Sequence, residues 1–150
     1  MAAKPVPEGF HTVTPYLAVN DAASLVDFIK RAFDAKEIHV MKGPNGEVWH
    51  GDLVIGDSHV MLGQANGPWP ARPSTIYLYV PDADATYKQA LAAGATSVQE
   101  PATQFYGDRH GAIKDCCDNF WWIATHVEDV PSEELERRAK EAAQRRAGSA

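Results

Sequence analysis

The chain has 150 residues, 45% hydrophobic and 23% charged, an ordinary globular make-up. That length buries most of the unfolded surface without disulfide or metal staples. The net charge of −6 argues against a nucleic-acid protein with a basic face and against attachment to anionic membranes. No apolar run approaches the roughly 20 residues of a membrane span. The stretch from Met1 to Phe10 has no apolar segment of the kind a secretory signal carries.

In chain order, the first pattern is Thr14-Pro-Tyr-Leu-Ala-Val-Asn-Asp-Ala22. Its alternation and its Tyr, Leu and Val predict a strand, ending at an Asp that caps a helix. Leu25, Val26, Ile29, Ala32 and Phe33 share one face and predict a helix over about 22–33. Three strands follow at about Lys36–Lys42, Glu47–Ile55 and His59–Gln64, parted by Gly43-Pro-Asn-Gly46 and Gly56-Asp57. The segment Asn66–Ser74, with three prolines, reads as a linker.

The pattern then repeats at an offset of 61. Thr75-Ile-Tyr-Leu-Tyr-Val-Pro-Asp-Ala83 matches the first copy at six of nine positions. A second helix spans about 83–93, with Tyr87, Ala90 and Leu91 inward and Gly94 as its stop. Strands at about Thr96–Gln104, Arg109–Asp115 and Phe120–His126 complete this half. Tyr106-Gly107-Asp108 and Asp118-Asn119 are its turn signals.

The fold class is therefore α+β, built from two βαβββ modules. Each module's sheet has a helix on one face, and its other face needs a partner module, a second chain or a ligand. One domain is expected over 1–130, with module one at about 11–65 and module two at about 74–130. A charged helix and tail fill 131–150, with Ser132 as N-cap and the pairs Glu133–Arg137, Glu134–Arg138 and Glu141–Arg145. It reads as a solvated helix. The adjacent cysteines, Cys116 and Cys117, are expected as free thiols in a reducing, cytoplasmic setting.

If Gly56-Asp57 is a two-residue hairpin loop, Val54 opposes His59, Asp52 opposes Met61 and His50 opposes Gly63. Leu53, Ile55, Val60 and Leu62 then lie under the helix. His50, Asp52, Val54, His59 and Met61 form the opposite, mixed face. In module two, a Cys117-Asp118 loop predicts Ile113 opposite Trp122, and a face of Ile113, Asp115, Phe120, Trp122 and Ala124. Tyr16, Tyr77 and Tyr79 join these faces from the leading strands. Apolar walls with a few polar groups make a small-molecule site; the aromatics serve equally as core between the modules.

These residues resemble the vicinal oxygen chelate superfamily of glyoxalases, bleomycin-resistance proteins and extradiol dioxygenases. The PhnB-like branch is indicated by Thr14-Pro-Tyr-Leu with Asp21, Phe28-Ile-Lys-Arg-Ala-Phe33 and Trp49-His50-Gly-Asp52-Leu-Val-Ile-Gly-Asp57. Tyr106-Gly-Asp-Arg109 with Gly111 and Asp115, and Trp121 followed by Ala124-Thr-His-Val-Glu-Asp129, indicate it too. The resemblance covers roughly residues 11–135. It implies a cup-shaped, curved mixed sheet with helices on the outer face, in a homodimer. It also implies a divalent metal acting as a Lewis acid. The ligand positions of that metal fall on Thr14, Met61, Thr75 and Trp122. These are not a credible ligand set, because indole has no lone pair to give, Met is a soft donor and a neutral Thr hydroxyl is poor. No cofactor is expected, and a divalent metal only at a non-standard site.

His50, Asp52 and His59 are the catalytic candidates, as an acid–base group or a displaced metal site, or else a half-exposed hydrogen-bonded cluster. Tyr16, Met61, Tyr77, Arg109, Phe120 and Trp122 are the ligand-binding candidates. Arg109, beside Tyr106 and Asp108, either meets an anionic ligand or a dimer partner, or forms an Arg–Asp surface pair that holds the loop. The favoured function is metal-independent binding of an organic molecule in an aromatic-lined cup. The alternatives are a glyoxalase-like lyase or isomerase using His50, His59 and Asp52, and a structural dimer without a ligand. Expected partners are a small molecule and a second copy of the chain, with neither nucleic acid nor membrane.

Overall fold

The computed structural model describes residues 2–149; Met1 of the leading segment and Ala150 of the tail lie outside them. The elements are β1 (Tyr16–Val19), α1 (Ala22–Phe33), β2 (Lys36–Lys42), β3 (Val48–Ile55) and β4 (Ser58–Gln64). They continue as β5 (Thr75–Tyr79), α2 (Ala83–Ala92), β6 (Thr96–Thr103), β7 (Asp108–Lys114), β8 (Phe120–His126) and α3 (Ser132–Gly148). Both modules are βαβββ, as their repeat requires. Each forms a four-stranded mixed sheet, in the orders β1-β4-β3-β2 and β5-β8-β7-β6. In each, the leading strand pairs parallel with the last and the other pairs are antiparallel. No helix is long and apolar enough to cross a membrane.

The helices start where the sequence sets their caps. Asp21 accepts from the Ser24 amide at 3.1 Å, and Asp82 from the Ala85 amide at 3.0 Å. Each bond satisfies one of the unpaired amides of a first turn. α1 buries Leu25, Val26, Phe28, Ile29, Ala32 and Phe33 on one side. Module one meets them with Leu17, Val19, Leu53, Ile55, Val60 and Leu62.

Module two supplies Tyr87, Ala90, Ile113, Trp121 and Ile123 to the same core cluster. Phe33 of α1 lies 4.9 Å from the Trp121 ring. The Gln89 amide of α2 donates to the Arg31 carbonyl and to Asp34, both at 2.9 Å. The two helices thus form the seam between modules. Among the described residues the two sheets share no hydrogen-bonded edge, so each keeps its own helix-free face.

α3 departs from expectation at its start. Pro131 occupies the N-cap position and Ser132 is the first helical residue, without a side-chain cap bond. Nor is the helix a free tail. Arg138 donates to the Phe105 carbonyl at 3.1 Å and to both Glu128 oxygens at 2.9 Å. Glu134–Arg138 and Glu141–Arg145 form as expected, whereas Arg137 pairs with Glu134 and Glu141.

Candidate functional site

The helix-free face of module one follows from a tight turn. Gly56 takes φ +59° as the first residue of a two-residue loop, a conformation in which it bears no Cβ penalty. Val54 therefore pairs with His59, Asp52 with Met61 and His50 with Gly63, the expected register. Asp52 and His59 meet at 2.8 Å and are both largely buried. His50 is not part of that pair. It lies 3.4 Å from the Tyr16 hydroxyl, and Tyr16 stands opposite Met61. The structure thus gives one His–Asp pair and one His–Tyr pair. The leading segment adds a residue that strand periodicity does not reveal: Phe10 stacks on His59 at 3.7 Å and 18°.

Module two corrects the expected register by one residue. Its hairpin loop has three residues, Cys116, Cys117 and Asp118. The Asp115 amide bonds to the Asn119 carbonyl at 2.9 Å, and Asp118 is left-handed at φ +64°. Three-residue hairpins need a left-handed residue at this position. A one-residue shift moves a whole strand's side chains to the other face. Lys114 therefore opposes Phe120, Ala112 opposes Trp122 and His110 opposes Ala124. Ile113 faces Trp121 in the core, and Asp115 lies on that side too, accepting from Trp121 Nε1 at 2.7 Å. Ile113 and Asp115 thus leave the expected site and His110 enters it. The signal was present in the sequence, since Asp118 is a residue type that tolerates left-handed backbone.

Phe120 and Trp122 remain on the helix-free face with Tyr77, which pairs with Trp122 across the parallel strands. His110 lies edge-on to Trp122 at 4.7 Å. Around them runs a polar network. Buried Asp108 accepts from Tyr77 at 2.7 Å and Tyr79 at 3.0 Å, and lies 2.9 Å from His126 Nδ1. Burial opposes its charge, but the bonds from His126, Tyr77 and Tyr79 outweigh that and hold its carboxyl below the usual range. The same carboxylate, after burial, pushes the Tyr77 phenol upward. Tyr106 bonds to His110 Nε2. Burial lowers the His110 pKa, opposed by the Asp108 charge, so its imidazole is neutral at pH 7. Tyr77, Gln99, Gln104, Phe105, Tyr106, His110, Trp122 and Arg146 line a cavity of about 240 Å³ here.

Arg109 lies elsewhere. It forms a two-pronged ion pair with Asp84 in the first turn of α2, at 2.7 and 2.8 Å. Its partner across the sheet is Thr125, which caps the Ala83 amide, so it belongs to the helix side. An Arg–Asp pair is one of its expected roles, but this one ties β7 to α2 rather than holding the Tyr106–Arg109 loop.

The positions implied for a metal do not suit one. Tyr16 and Tyr77 are the residues across from Met61 and Trp122, and the Thr14 hydroxyl turns to the His11 carbonyl at 3.4 Å. A thioether, an indole, phenols and an engaged hydroxyl do not form a site for a hard or borderline divalent ion. Among the described residues, the one close group of three His, Cys, Asp or Glu side chains is Asp115, Cys116 and Cys117. Asp115 there already accepts from Cys117 N, Asn119 N, Asn119 Nδ2 and Trp121 Nε1. Desolvation at the crowded turn, then the neighbouring thiol and Asp115, push Cys116 up to about 12. Both cysteines are free, and their thiols stay protonated at neutral pH.

Residues 9–123 match the model of the Glyoxalase/Bleomycin resistance protein/Dioxygenase superfamily. An uncharacterized protein of Mycobacterium bovis is 37% identical over 135 residues, covering 83% of this chain and 89% of its own. An uncharacterized protein of Mycobacterium tuberculosis is also 37% identical over 135 residues, covering 83% of this chain and 79% of its own. Among solved structures, TioX from Micromonospora superposes with a TM-score of 0.69 at 24% identity, over 78% of this chain and 99% of that one. A glyoxalase/bleomycin resistance protein/dioxygenase from Nocardioides gives 0.60 at 16% identity, over 85% and 87%. These two structures share the fold.

Proposed function

The chain belongs to the Glyoxalase/Bleomycin resistance protein/Dioxygenase superfamily, and from that premise we propose that it is a metal-independent binding protein for a small organic molecule. The ligand lies on the helix-free face of module two, against Trp122 and Tyr77, with Phe120 farther along β8 on the same face. The observation that carries this is the cavity around His110, a concave site walled by the rings of Tyr77, Phe105, Tyr106 and Trp122, with polar side chains making up the other half of its lining. The chain sits in the PhnB-like branch on its Trp49–Asp57 and Tyr106–Arg109 motifs, and works in the cytoplasm. It acts as a homodimer. Support for the dimer is that the two sheets share no hydrogen-bonded edge among the described residues, while Tyr16, Tyr77, Tyr79 and Phe120 stay exposed.

Tryptophan fluorescence titrated with a panel of aromatic compounds tests the reading. A saturable change that is lost in Trp122→Ala and kept in Trp49→Ala supports it; unchanged emission across the panel refutes it. Light scattering in line with gel filtration tests the dimer. The close Asp52–His59 pair favours a second reading, an acid–base lyase or isomerase on module one. Turnover lost in both Asp52→Asn and His59→Gln would establish that one. A stoichiometric divalent ion in purified protein would overturn metal independence.

A further inference from the structure

Resting on that reading, the cavity of module two also defines the class of its ligand. α3 carries four arginines, at 137, 138, 145 and 146. Three of them are engaged: Arg137 with Glu134 and Glu141, Arg138 with Glu128 and Glu134, and Arg145 with Glu141. Arg146 has no carboxylate partner among the described residues, and it alone of the four lines the aromatic cavity. α3 is held in place by Arg138, which ties it to the Phe105 carbonyl and to Glu128. The cation is therefore brought to the cavity by the fold rather than left on a free tail.

The rest of the wall is compatible with a negative guest. Asp108 lies near, but its charge is shared among donors from Tyr77, Tyr79 and His126. His110 is 4% exposed and neutral. Its Nδ1 is the one buried side-chain nitrogen or oxygen without a hydrogen-bond partner among the described residues. Native interiors seldom leave such an atom unpaired. His110 is itself one of the residues lining the cavity that Arg146 lines. Phe105, Tyr106, Tyr77 and Trp122 supply flat surfaces. A volume of about 240 Å³ lies just under the ordinary range for ligand sites, about 300–1,000 Å³, and admits one or two rings.

We propose that this cavity takes a small planar aromatic anion, its ring against Trp122 and its negative group on Arg146. α3 is then part of the binding site, and Arg146 is its specificity-determining residue.

The test uses 1-naphthoate and its neutral counterpart 1-naphthamide on the full chain, by calorimetry and tryptophan fluorescence. An exposed guanidinium favours the acid over the amide by about fivefold at low salt. Arg146→Gln removes that preference, weakening naphthoate more than naphthamide. Arg145→Gln, the same charge change one residue away, leaves the preference intact. Arg146 is exposed at the end of α3, so its loss does not threaten folding. Equal binding of acid and amide to the unaltered chain overturns this inference alone, and so does a preference that survives Arg146→Gln. Binding of neither compound overturns it together with the binding-protein reading.

Discussion

Asp115 to Asn is the most demanding test of how this fold makes its site. Asp115 is 5% exposed, and among the described residues it forms no ion pair. Its Oδ1 accepts from Cys117 N at 2.8 Å and Asn119 N at 3.0 Å. Its Oδ2 accepts from Asn119 Nδ2 at 3.0 Å and Trp121 Nε1 at 2.7 Å. An amide at this position presents its NH₂ to two of these donors whichever way it turns. Hydrogen bonds to a charged group contribute about 1.5–3 kcal/mol each, so losing two costs about 3–6 kcal/mol. A domain's whole stability is about 5–15 kcal/mol, so that is a large share. Urea unfolding followed by tryptophan emission measures it, with a fall in Tm of about 10 °C expected in parallel. Asp118→Gly is the control, because glycine takes φ +64° without strain and stays within about 1 kcal/mol. A loss below about 1 kcal/mol in Asp115→Asn would refute the view that this carboxylate organises the loop.

Other expectations follow from the same geometry. The Asp108 and Asp129 carboxylates raise the His126 pKa, so its contribution to stability is complete below about 6.5 and is lost as pH rises through the raised value. The Tm difference between the chain and His126→Gln should therefore shrink from pH 6 to pH 9; a constant difference contradicts it. Arg109→Met should leave aromatic-ligand affinity unchanged, since its guanidinium is held by Asp84 on the helix side; weakened binding would return it to the site. Removing residues 2–10 should speed carbethoxylation of His59, because Phe10 stacks on that ring; an unaltered rate would show that the stack does not shield it. Cys116 should react with a disulfide reagent at pH 7.5 far more slowly than free cysteine, its thiol being pushed up to about 12.

Most of the architecture was legible because local signals agreed with one another. The repeat at offset 61 and its two capping aspartates placed α1 and the start of α2. Gly56 admits one short loop geometry, so the His50, Asp52, His59 and Met61 face could be read directly. In module two the same reasoning failed by one residue. Cys116-Cys117-Asp118 carries no glycine to mark a loop length, and the three-residue choice is fixed by Asp115 gathering donors that include the buried Trp121. That contact spans a strand, and no pattern along the chain announces it.

The sequence by itself determined the two βαβββ modules, the apolar stripe of each helix and the aromatic content of one sheet face. It also determined that the positions implied for a metal hold no adequate donors. These follow from short-range periodicity, capping and side-chain chemistry, which are local properties. The tertiary structure decided which residues share a surface. It put α1 against α2 as the seam and left the two sheets unjoined. It took Arg109 to the helix side and brought His110 beside Trp122. It also set Phe10 on His59 and Arg146 in the lining of the cavity. Those placements depend on loop closure and on segments far apart in the chain finding a common core, and no window of sequence holds that information.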